Sequence, residues 1–457
     1  MIQATRLREL NSLPVRKGRY VLYWIQASQR AECNHALEYA VREANRLQLP
    51  VLVVFGLTHD YPHANERHYR FMLEGLRETQ QALAKRGMRL VALDADPPQA
   101  ALHLSREAAL LVCDYGYTRV QTQWREQVAA ESQCPVVQVE TDVVVPVETA
   151  SSKEEFAART IRPKLHRLLP EYLVPLKQQP PRAASLDLSL PARLPELDLS
   201  DPAALLKRLK LPQLPDYGTA SRFTGGTSAA RKALSEFLQN RLDHYEELQS
   251  DPSRDATSHV SPFLHFGQLS PLELALAVQG HGGPGVEPFL EQLIVRRELA
   301  MNFMHYNRQY DQYDSIPQWA AVSLREHAAD PRPVLYTLEQ LEQADTADEY
   351  WNAAMREMLL TGFMHNYMRM YWGKKVLEWS RTPQEAFERL VYLNDKYFVD
   401  GRDPASYMNI AWCFGKHDRP FGERPIFGKV RYMNAAGLKR KFNMKAYLSR
   451  IAALQVV

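Results

Sequence analysis

The chain has 457 residues, of which 45% are hydrophobic and 24% are charged, and its net charge is +3. This length is too great for one core and predicts two or three domains of an ordinary globular protein. No run of apolar residues reaches the roughly eighteen needed to span a bilayer, and the N-terminus lacks an apolar signal core, so we expect a cytoplasmic protein without membrane contact. The small positive charge excludes a generally basic surface, and any nucleic-acid contact must be local.

The first third of the chain alternates between short apolar runs and amphipathic stretches. Strands are predicted at residues 20–25, 51–55, 90–93, 110–113 and 136–139, and helices at residues 33–47, 65–86, 98–107 and 121–131. This alternation predicts an α/β domain over residues 1–170, built on an open, doubly wound (Rossmann-like), mostly parallel sheet. No G-x-G-x-x-G fingerprint follows the first strand, so the dinucleotide-binding signature is absent. Any ligand of this domain is expected at the carboxyl ends of the strands.

The middle of the chain is a proline-rich connector, because nine of the 29 prolines fall within residues 170–215. Residues 171–216 are therefore predicted to be a long linker that lies on the surface with short helical pieces. Beyond it, apolar residues recur at helical spacing at residues 229–249, 271–279, 286–307, 338–341, 350–360, 362–379 and 383–393. The remainder, residues 217–457, is predicted to be an all-α domain.

Residues 361–372 are predicted to form a helix with a polar stripe among apolar and aromatic side chains. His365 and Arg369 are four positions apart and would share one face of that helix, with Asn366 beside them. A core helix with satisfied polar groups would have the same pattern.

Three further motifs give this stretch a specific interpretation. The sequences MHNYMRM (364–370), DGRDP (400–404), WCFGKHDRP (412–420) and ARTIRPK (158–164) resemble the photolyase/cryptochrome superfamily, and within it the class II cyclobutane pyrimidine dimer (CPD) photolyases. The resemblance implies an FAD-binding, carbon–carbon lyase that repairs DNA in light, by electron transfer from excited reduced FAD to a pyrimidine dimer flipped out of UV-damaged DNA. The alternatives are a (6-4) photoproduct photolyase and a cryptochrome-like photoreceptor that signals through a protein partner.

Hydroxyl side chains cluster before Pro262, where a helix is expected to begin. Thr257, Ser258 and Ser261 would offer a phosphate seat at that helix start, although a plain helix N-cap has the same spacing. By resemblance, the turn holds the FAD diphosphate together with a tyrosine twelve residues upstream, which gives the set Tyr245, Thr257, Ser258, His259, Val260 and Ser261. The family often has Arg or Asn followed by Leu where this chain has His259 and Val260.

A second group of polar residues fits the needs of a reduced flavin, which is anionic at N1 and carries its redox proton at N5. Such a ring needs a cation, a carboxylate that pairs the cation, and an amide near N5. By resemblance, Arg369 and Asp400 form the ion pair, Asn394 faces N5, and Asn366 and Asp403 also contact the cofactor. A buried structural salt bridge would explain Arg369 and Asp400 equally well.

The resemblance also assigns residues to the lesion and to electron transfer. Glu298 is expected to hydrogen-bond the damaged pyrimidines, while Trp412 and Met370 line their pocket; no aromatic is apparent for the opposite wall. Trp372, Trp351 and Trp379 are expected to carry electrons to the flavin, with Trp372 nearest to it and Trp379 outermost. Aromatic residues at helical spacing are more often simply core residues.

The basic C-terminal stretch is interpreted as the DNA face. The expected contacts are Arg419, Phe421, Lys429, Arg431, Lys439 and Arg440, of which Phe421 would fill the gap left by the flipped bases. A solvated basic end is the alternative. We expect a monomer without an obligate protein partner, and the α/β domain leaves room for a second antenna chromophore of the deazaflavin or folate type.

The four cysteines are scattered and show neither C-x-x-C spacing nor a pairing with histidines. They are Cys33, Cys113, Cys134 and Cys413. We therefore expect neither a metal site nor a disulfide framework.

Overall fold

The structure is a computed structural model that describes residues 2–190, 194–214 and 221–454. Its strands are β1 Leu7–Glu9, β2 Tyr20–Trp24, β3 Val51–Gly56, β4 Arg89–Leu93, β5 Ala108–Asp114 and β6 Val136–Val139. Within the described residues they form one sheet in the order β1-β6-β5-β2-β3-β4, in which all neighbours are parallel except β1 and β6. The predicted doubly wound parallel sheet is confirmed. The antiparallel edge strand β1 was missed, because three mostly exposed residues give no apolar run.

The central strands of the sheet are buried on both sides because helices cover both of its faces. The helices of this part are α1 His35–Leu47, α2 Glu66–Lys85, α3 Pro97–Ser105 and α4 Arg119–Glu131. Helices α1 and α2 pack with Val21 and Tyr23 of β2 on one face, and α3 and α4 pack with Leu22 and Trp24 on the other.

The rest of the described chain is helical, which confirms the predicted all-α part. Its helices are α5 Val147–Ala150, α6 Ala158–Tyr172, α7 Pro202–Leu209, α8 Thr227–Asn240, α9 Tyr245–Leu248, α10 Ser261–His265, α11 Pro271–His281, α12 Val286–Leu290, α13 Arg297–Tyr306, α14 Gln318–Glu326, α15 Leu338–Glu342, α16 Glu349–Thr361, α17 Asn366–Trp379, α18 Pro383–Tyr397, α19 Pro404–Cys413, α20 Ala435–Lys441 and α21 Met444–Ala452. Within the described residues, none of the helices is long and apolar enough to cross a membrane.

The domain boundaries stay predictions, and the structure bears on only part of them. The boundary at residues 170 and 171 falls inside α6, which continues to Tyr172. The boundary at residues 216 and 217 lies outside the described residues. Between them the connector contains α7, and Glu196 forms an isolated antiparallel bridge with Leu93 at the end of β4.

One predicted helix boundary and one unpredicted interruption matter for the site. The helices predicted at residues 350–360 and 362–379 are separate, because Gly362 ends α16 in the left-handed region (φ 71°); α17 begins only at Asn366, where His365 caps it by accepting from Tyr367 N. A Cβ at residue 362 would lie 2.4 Å from Val399 Cγ2, so the chain turns there at a glycine. Residues 286–307 also break, since a π-helical turn, Glu291–Arg296, separates α12 from α13.

Candidate active site

The helical part encloses a cavity of about 570 Å³. Its walls come from the segment before α10, the π-helical turn, α17, α18 and α19. Many of the predicted site residues line it, namely Tyr245, Thr257, Ser258, His259, Val260, Ser261, Asn366, Arg369, Met370, Trp372, Asn394, Asp400, Asp403, Trp412 and Arg431. This cavity brings together residues that are far apart in sequence.

The turn over residues 257–261 forms one end of the cavity. His259 lies in the left-handed region (φ 56°), and its ring pairs with the Asp255 carboxylate. Burial raises the pKa of Asp255, but the hydrogen bond from His259 and the charges of Arg222 and Arg241 outweigh it and lower that pKa. Within the described residues, the hydroxyls of Ser258 and Ser261 make no hydrogen bond, so both remain free for a ligand.

The predicted ion pair is present in the lining of the cavity. Arg369 Nη2 lies 2.9 Å from Asp400 Oδ1 and 3.2 Å from Oδ2, and Arg369 Nε donates to the carbonyl of Met364 at 3.2 Å. The guanidinium also lies 3.9 Å from the ring centroid of Phe398. Contacts from two segments, Met364 before α17 and Phe398 with Asp400 after α18, therefore hold this cation in place.

Asp403 connects the cavity to the start of α19. Its carboxylate caps that helix by accepting from Ala405 N at 2.8 Å and lies 3.4 Å from His265 Nδ1. Burial raises the pKa of Asp403, but the hydrogen bond and charge of His265 lower it by more.

Glu298 does not belong to this cavity, and its predicted contact with the lesion is wrong. Its carboxylate is buried against the α/β part of the chain, where it accepts from Val144 N at 2.5 Å and from Val145 N at 3.2 Å. Burial raises the pKa of Glu298 to about 8. The π-helical turn has i→i+5 backbone hydrogen bonds, which add one residue to the turn. The side chains of α13 that follow it, including Glu298, therefore point in other directions than a regular α-helix would give.

The same turn places two polar side chains in the cavity that were not predicted from the sequence. Gln292 and Arg296 line the cavity, and the guanidinium carbon of Arg296 lies 5.5 Å from the ring centroid of Trp412. Glu291 accepts from Arg296 Nε at 3.2 Å, while Arg162 binds the same carboxylate through two nitrogens. Because Gln292 and Arg296 are four positions apart, their helical spacing could have indicated a shared face.

The three tryptophans of the predicted electron path form a series of contacts that begins at the cavity. Trp372 lines the cavity, Trp351 Nε1 donates to the Trp372 carbonyl at 3.1 Å, and the rings of Trp351 and Trp379 are 5.5 Å apart. Trp379 in turn meets Tyr336, a partly exposed residue, at 5.0 Å. All three tryptophans are buried, so their burial alone would also suit a packing role.

Of the predicted DNA contacts, only Arg431 lines the cavity among the described residues. Arg419 and Arg431 flank the ring of Phe421, at 5.8 and 4.9 Å from its centroid, and Arg431 also pairs with Asp418 at 3.3 Å. Lys429 is exposed, and its backbone carbonyl accepts a hydrogen bond from Phe421 N at 2.8 Å. Lys439 and Arg440 are exposed on α20, away from the cavity lining.

A second, smaller cavity of about 110 Å³ lies at the carboxyl ends of β2 and β3, where a ligand of the sheet was expected. Gln26 and Gln29 line it, and the buried side-chain amide atoms Gln26 Nε2, Gln26 Oε1 and Gln29 Oε1 have no hydrogen-bond partner among the described residues. His265 lines this cavity while its partner Asp403 lines the larger one, so this pair forms part of the wall between them.

Solved structures of photolyases and cryptochromes resemble this combination of a doubly wound sheet and a helical part. A cryptochrome of Synechocystis sp. PCC6803 superposes with a TM-score of 0.75 at 16% identity, covering 94% of this chain and 88% of its own. A class III photolyase of Agrobacterium tumefaciens gives 0.69 at 20% identity, covering 95% and 87%. These likenesses define the class of fold.

The sequence comparisons identify the family within that class. The DNA photolyase family model matches residues 21–183. The deoxyribodipyrimidine photo-lyase of Methanothermobacter thermautotrophicus is 49% identical over 455 residues, 99% of each chain, and that of Arabidopsis thaliana is 39% identical over 95% of this chain and 89% of its own. The chain belongs to the DNA photolyase family and is an enzyme of that family.

Proposed function

We propose that the protein is a class II CPD photolyase, which reverses cyclobutane pyrimidine dimers in UV-damaged DNA under light. The observation that carries this proposal is the shared cavity. It is lined by the hydroxyl-bearing turn over residues 257–261, by the ion pair of Arg369 and Asp400, and by the side chains of Trp372 and Trp412. The relatives that match along nearly their whole length bear the name deoxyribodipyrimidine photo-lyase.

The residues of the cavity fit FAD. The free hydroxyls of Ser258 and Ser261, with Thr257 beside them, suit a diphosphate. Arg369 is held by Asp400 where a cation would stabilise an anionic ring. Tyr245, His259, Val260, Asn366, Asn394 and Asp403 complete the proposed cofactor contacts. When bound, FAD supplies the electron that the repair reaction needs, while this chain binds, orients and shields it.

The pocket for the flipped dimer is proposed between Trp412 and the π-helical turn. Trp412 offers an apolar ring face, Met370 lines the same cavity, and Gln292 and Arg296 are proposed for the role expected of Glu298 from the sequence. The amide of Gln292 can both donate to and accept from a pyrimidine edge. Arg419, Phe421, Lys429, Arg431, Lys439 and Arg440 are proposed to bind the surrounding DNA, with the charges on phosphates and Phe421 against the exposed bases.

Cofactor content and lesion specificity test the proposal together. Purified protein should hold about one FAD per chain and release it on heating, and colourless protein that stays colourless after incubation with FAD would count against the cofactor. Repair should then be assayed on duplexes with a single CPD or a single (6-4) photoproduct, in light and in darkness. We expect repair of the CPD in light alone. Repair of the (6-4) photoproduct, or no repair by FAD-loaded protein, would favour one of the two alternatives.

A second chromophore is proposed for the smaller cavity. The unpartnered amides of Gln26 and Gln29 suit a planar ring with both donors and acceptors on its edge. The cavity is smaller than the roughly 300 Å³ of common ligand sites, so such a pigment would enter only with movement of lining side chains. A photolyase of Sulfolobus tokodaii, which superposes with a TM-score of 0.67 at 18% identity, was solved with two FAD molecules. Pigment extraction together with the wavelength dependence of repair tests this proposal.

A further inference from the structure

Asn394 projects into the large cavity from the last turn of α18, and its amide is held from behind. Asn394 Nδ2 donates to Asp395 Oδ1 at 2.8 Å, and both side chains are buried. An amide that gives its nitrogen to one partner presents its oxygen to the other side. Asn394 therefore offers Oδ1, a hydrogen-bond acceptor, to the cavity.

The carboxylate of Asp395 is surrounded by donors, which fixes this orientation. Besides Asn394, Oδ1 accepts from Arg402 N at 3.1 Å and Oδ2 accepts from the Tyr407 hydroxyl at 2.9 Å. Burial raises the pKa of Asp395, while the Arg402 charge and the hydrogen bonds from Asn394 and Tyr407 oppose that rise. A reversed Asn394 would point its carbonyl oxygen at an acceptor and lose its hydrogen bond.

The backbone around the pair is also closely packed. A Cβ at Gly401 would lie 2.7 Å from the Asn394 carbonyl oxygen and 3.0 Å from Asp395 Cα. Arg402 Nη1 donates to the Asp395 carbonyl as well. The turn that carries Asp400 therefore restricts the movement of Asn394 and Asp395.

We propose that Asp395 is a positioning residue that fixes Asn394 as an acceptor and so selects the reduced form of the bound flavin. This rests on the proposed function, in which Asn394 faces flavin N5. Two-electron reduction adds two electrons and one proton to oxidised flavin, and the proton resides on N5. Asn394 Oδ1 can accept from the N5–H of the reduced ring, whereas the bare N5 of the oxidised ring has no donor to meet. The fixed amide therefore favours the reduced ring and raises its midpoint potential.

Asp395→Asn tests this, because an amide at residue 395 can donate to Asn394 Oδ1 and allow Asn394 to reverse. FAD-loaded variant and parent are compared by redox titration with an external reductant and reference dyes. We expect a lower two-electron midpoint potential in the variant, and a tenfold loss of preference for the reduced ring corresponds to about 30 mV. Equal potentials in two folded, FAD-loaded proteins would overturn the proposal.

Two control variants separate orientation from general disturbance. Tyr407→Phe removes another donor from the same carboxylate but leaves the Asn394 contact, so its potential should match that of the parent. In an Asn394→Ala background, Asp395→Asn should have no further effect on the potential, because the amide it orients is gone. A shift of the same size in that background would show that Asp395 acts through another route.

A measurement on the parent protein decides the matter if Asp395→Asn does not fold. FAD labelled with ¹⁵N at N5 is bound to the parent, and the N5 chemical shift of the oxidised form is recorded. We expect the shift of an N5 without a hydrogen-bond donor, and the shift of a hydrogen-bonded N5 would overturn the inference. A parent that binds no FAD would instead contradict the proposed function.

Discussion

Gln292 and Glu298 lie six positions apart on one continuous helical run, yet only Gln292 faces the cavity. The π-helical turn between them separates a wall of the proposed lesion pocket from a buried contact with the α/β part. A carboxylate in an apolar helix looked like a catalytic group, but two backbone N–H groups already account for it. At the scale of single residues, burial with partners distinguishes a structural acid from a catalytic one.

The raised pKa of Glu298 predicts a pH-dependent stability. With a folded-state pKa of about 8 against an ordinary 4.5, the folded protein holds a proton that the unfolded chain releases, so stability falls as pH rises from about 4.5 through 8. Glu298→Gln removes this titration, and the difference in unfolding free energy between parent and variant should change by at most about 5 kcal/mol over that range. Urea unfolding at several pH values measures it, and the CPD repair yield of the variant should equal that of the parent.

Arg296 is predicted to strengthen binding of the lesion. Arg296→Met keeps much of the apolar stem but removes the cation above Trp412, so affinity for CPD-containing DNA should fall several-fold, for a loss of about 1 kcal/mol. FAD content should not change. Titration of labelled duplex with one CPD measures the affinity.

Arg162→Met is the matched control for Arg296. Arg162 binds the same Glu291 carboxylate but does not line the cavity, so its variant should retain more of the lesion affinity. An equal loss in both variants would assign the effect to Glu291 and its position rather than to the charge beside Trp412.

At the scale of helices and strands, local pattern predicted the elements and failed where a π-helical turn interrupts one of them. The central strands were found because their residues are apolar throughout, and α18 was found because its periodicity is regular. The separate helices predicted at residues 350–360 and 362–379 are confirmed as α16 and α17. The π-helical turn, by contrast, leaves no mark on a pattern read at 3.6 residues per turn.

The candidate site likewise contains residues that the sequence motifs predicted and residues that only the packing of the helices placed. The residues found from motifs, such as Arg369 and Asp400, meet as expected, because their chemistry is tied to their own sequence context. Arg296 and Gln292 could not be placed without the register of the helix, which is set by packing against α6 and α19. Contacts between distant elements therefore decided the wall of the pocket.

The tryptophan contacts predict a test of function at this scale. If Trp372, Trp351 and Trp379 form an electron path, Trp372→Phe should fold and bind FAD, but oxidised FAD in it should not be photoreduced under blue light. Protein loaded with chemically reduced FAD should still repair dimers, since the repair electron comes from the flavin. The packing loss should be a few kcal/mol at most, on the order of other aromatic changes in cores.

Flavin bleaching under blue light with an external reductant measures photoreduction in the three single variants. Trp319→Phe is a suitable control, because Trp319 has a similarly unpartnered buried Nε1 but lies on α14, outside the contact series. Bleaching of Trp372→Phe at the parent's rate would return the three tryptophans to a packing role.

At the scale of the whole molecule, the α/β part holds the helices that form the cavity. Arg67 of α2 is buried and donates to the carbonyls of Met358 and Leu359 at the end of α16 and of Tyr397 at the end of α18. Burial lowers the pKa of Arg67 to about 10. Tyr397 ends α18, which lines the cavity, and α16 leads into the turn before α17, so the α/β part contacts two helix termini close in sequence to the site.

The DNA face is predicted from the same whole-molecule view, since Arg419 and Arg431 bracket Phe421 beside the cavity that would take the flipped dimer. Both are interpreted as phosphate contacts, which bind DNA regardless of sequence or damage. Arg431→Ala should therefore weaken binding to damaged and undamaged duplexes alike and reduce the slope of log K against log salt by about one unit.

Arg46→Ala provides the comparison, because Arg46 is an exposed arginine on α1 of the α/β part and pairs with Glu43. It removes the same charge at a distance from the cavity lining, so its affinity and salt slope should match those of the parent. Binding is followed by fluorescence anisotropy at several salt concentrations, with FAD content as a check on folding. If Arg431→Ala behaved like Arg46→Ala, the basic C-terminal stretch would be a solvated surface, and the DNA would have to reach the cavity by another side.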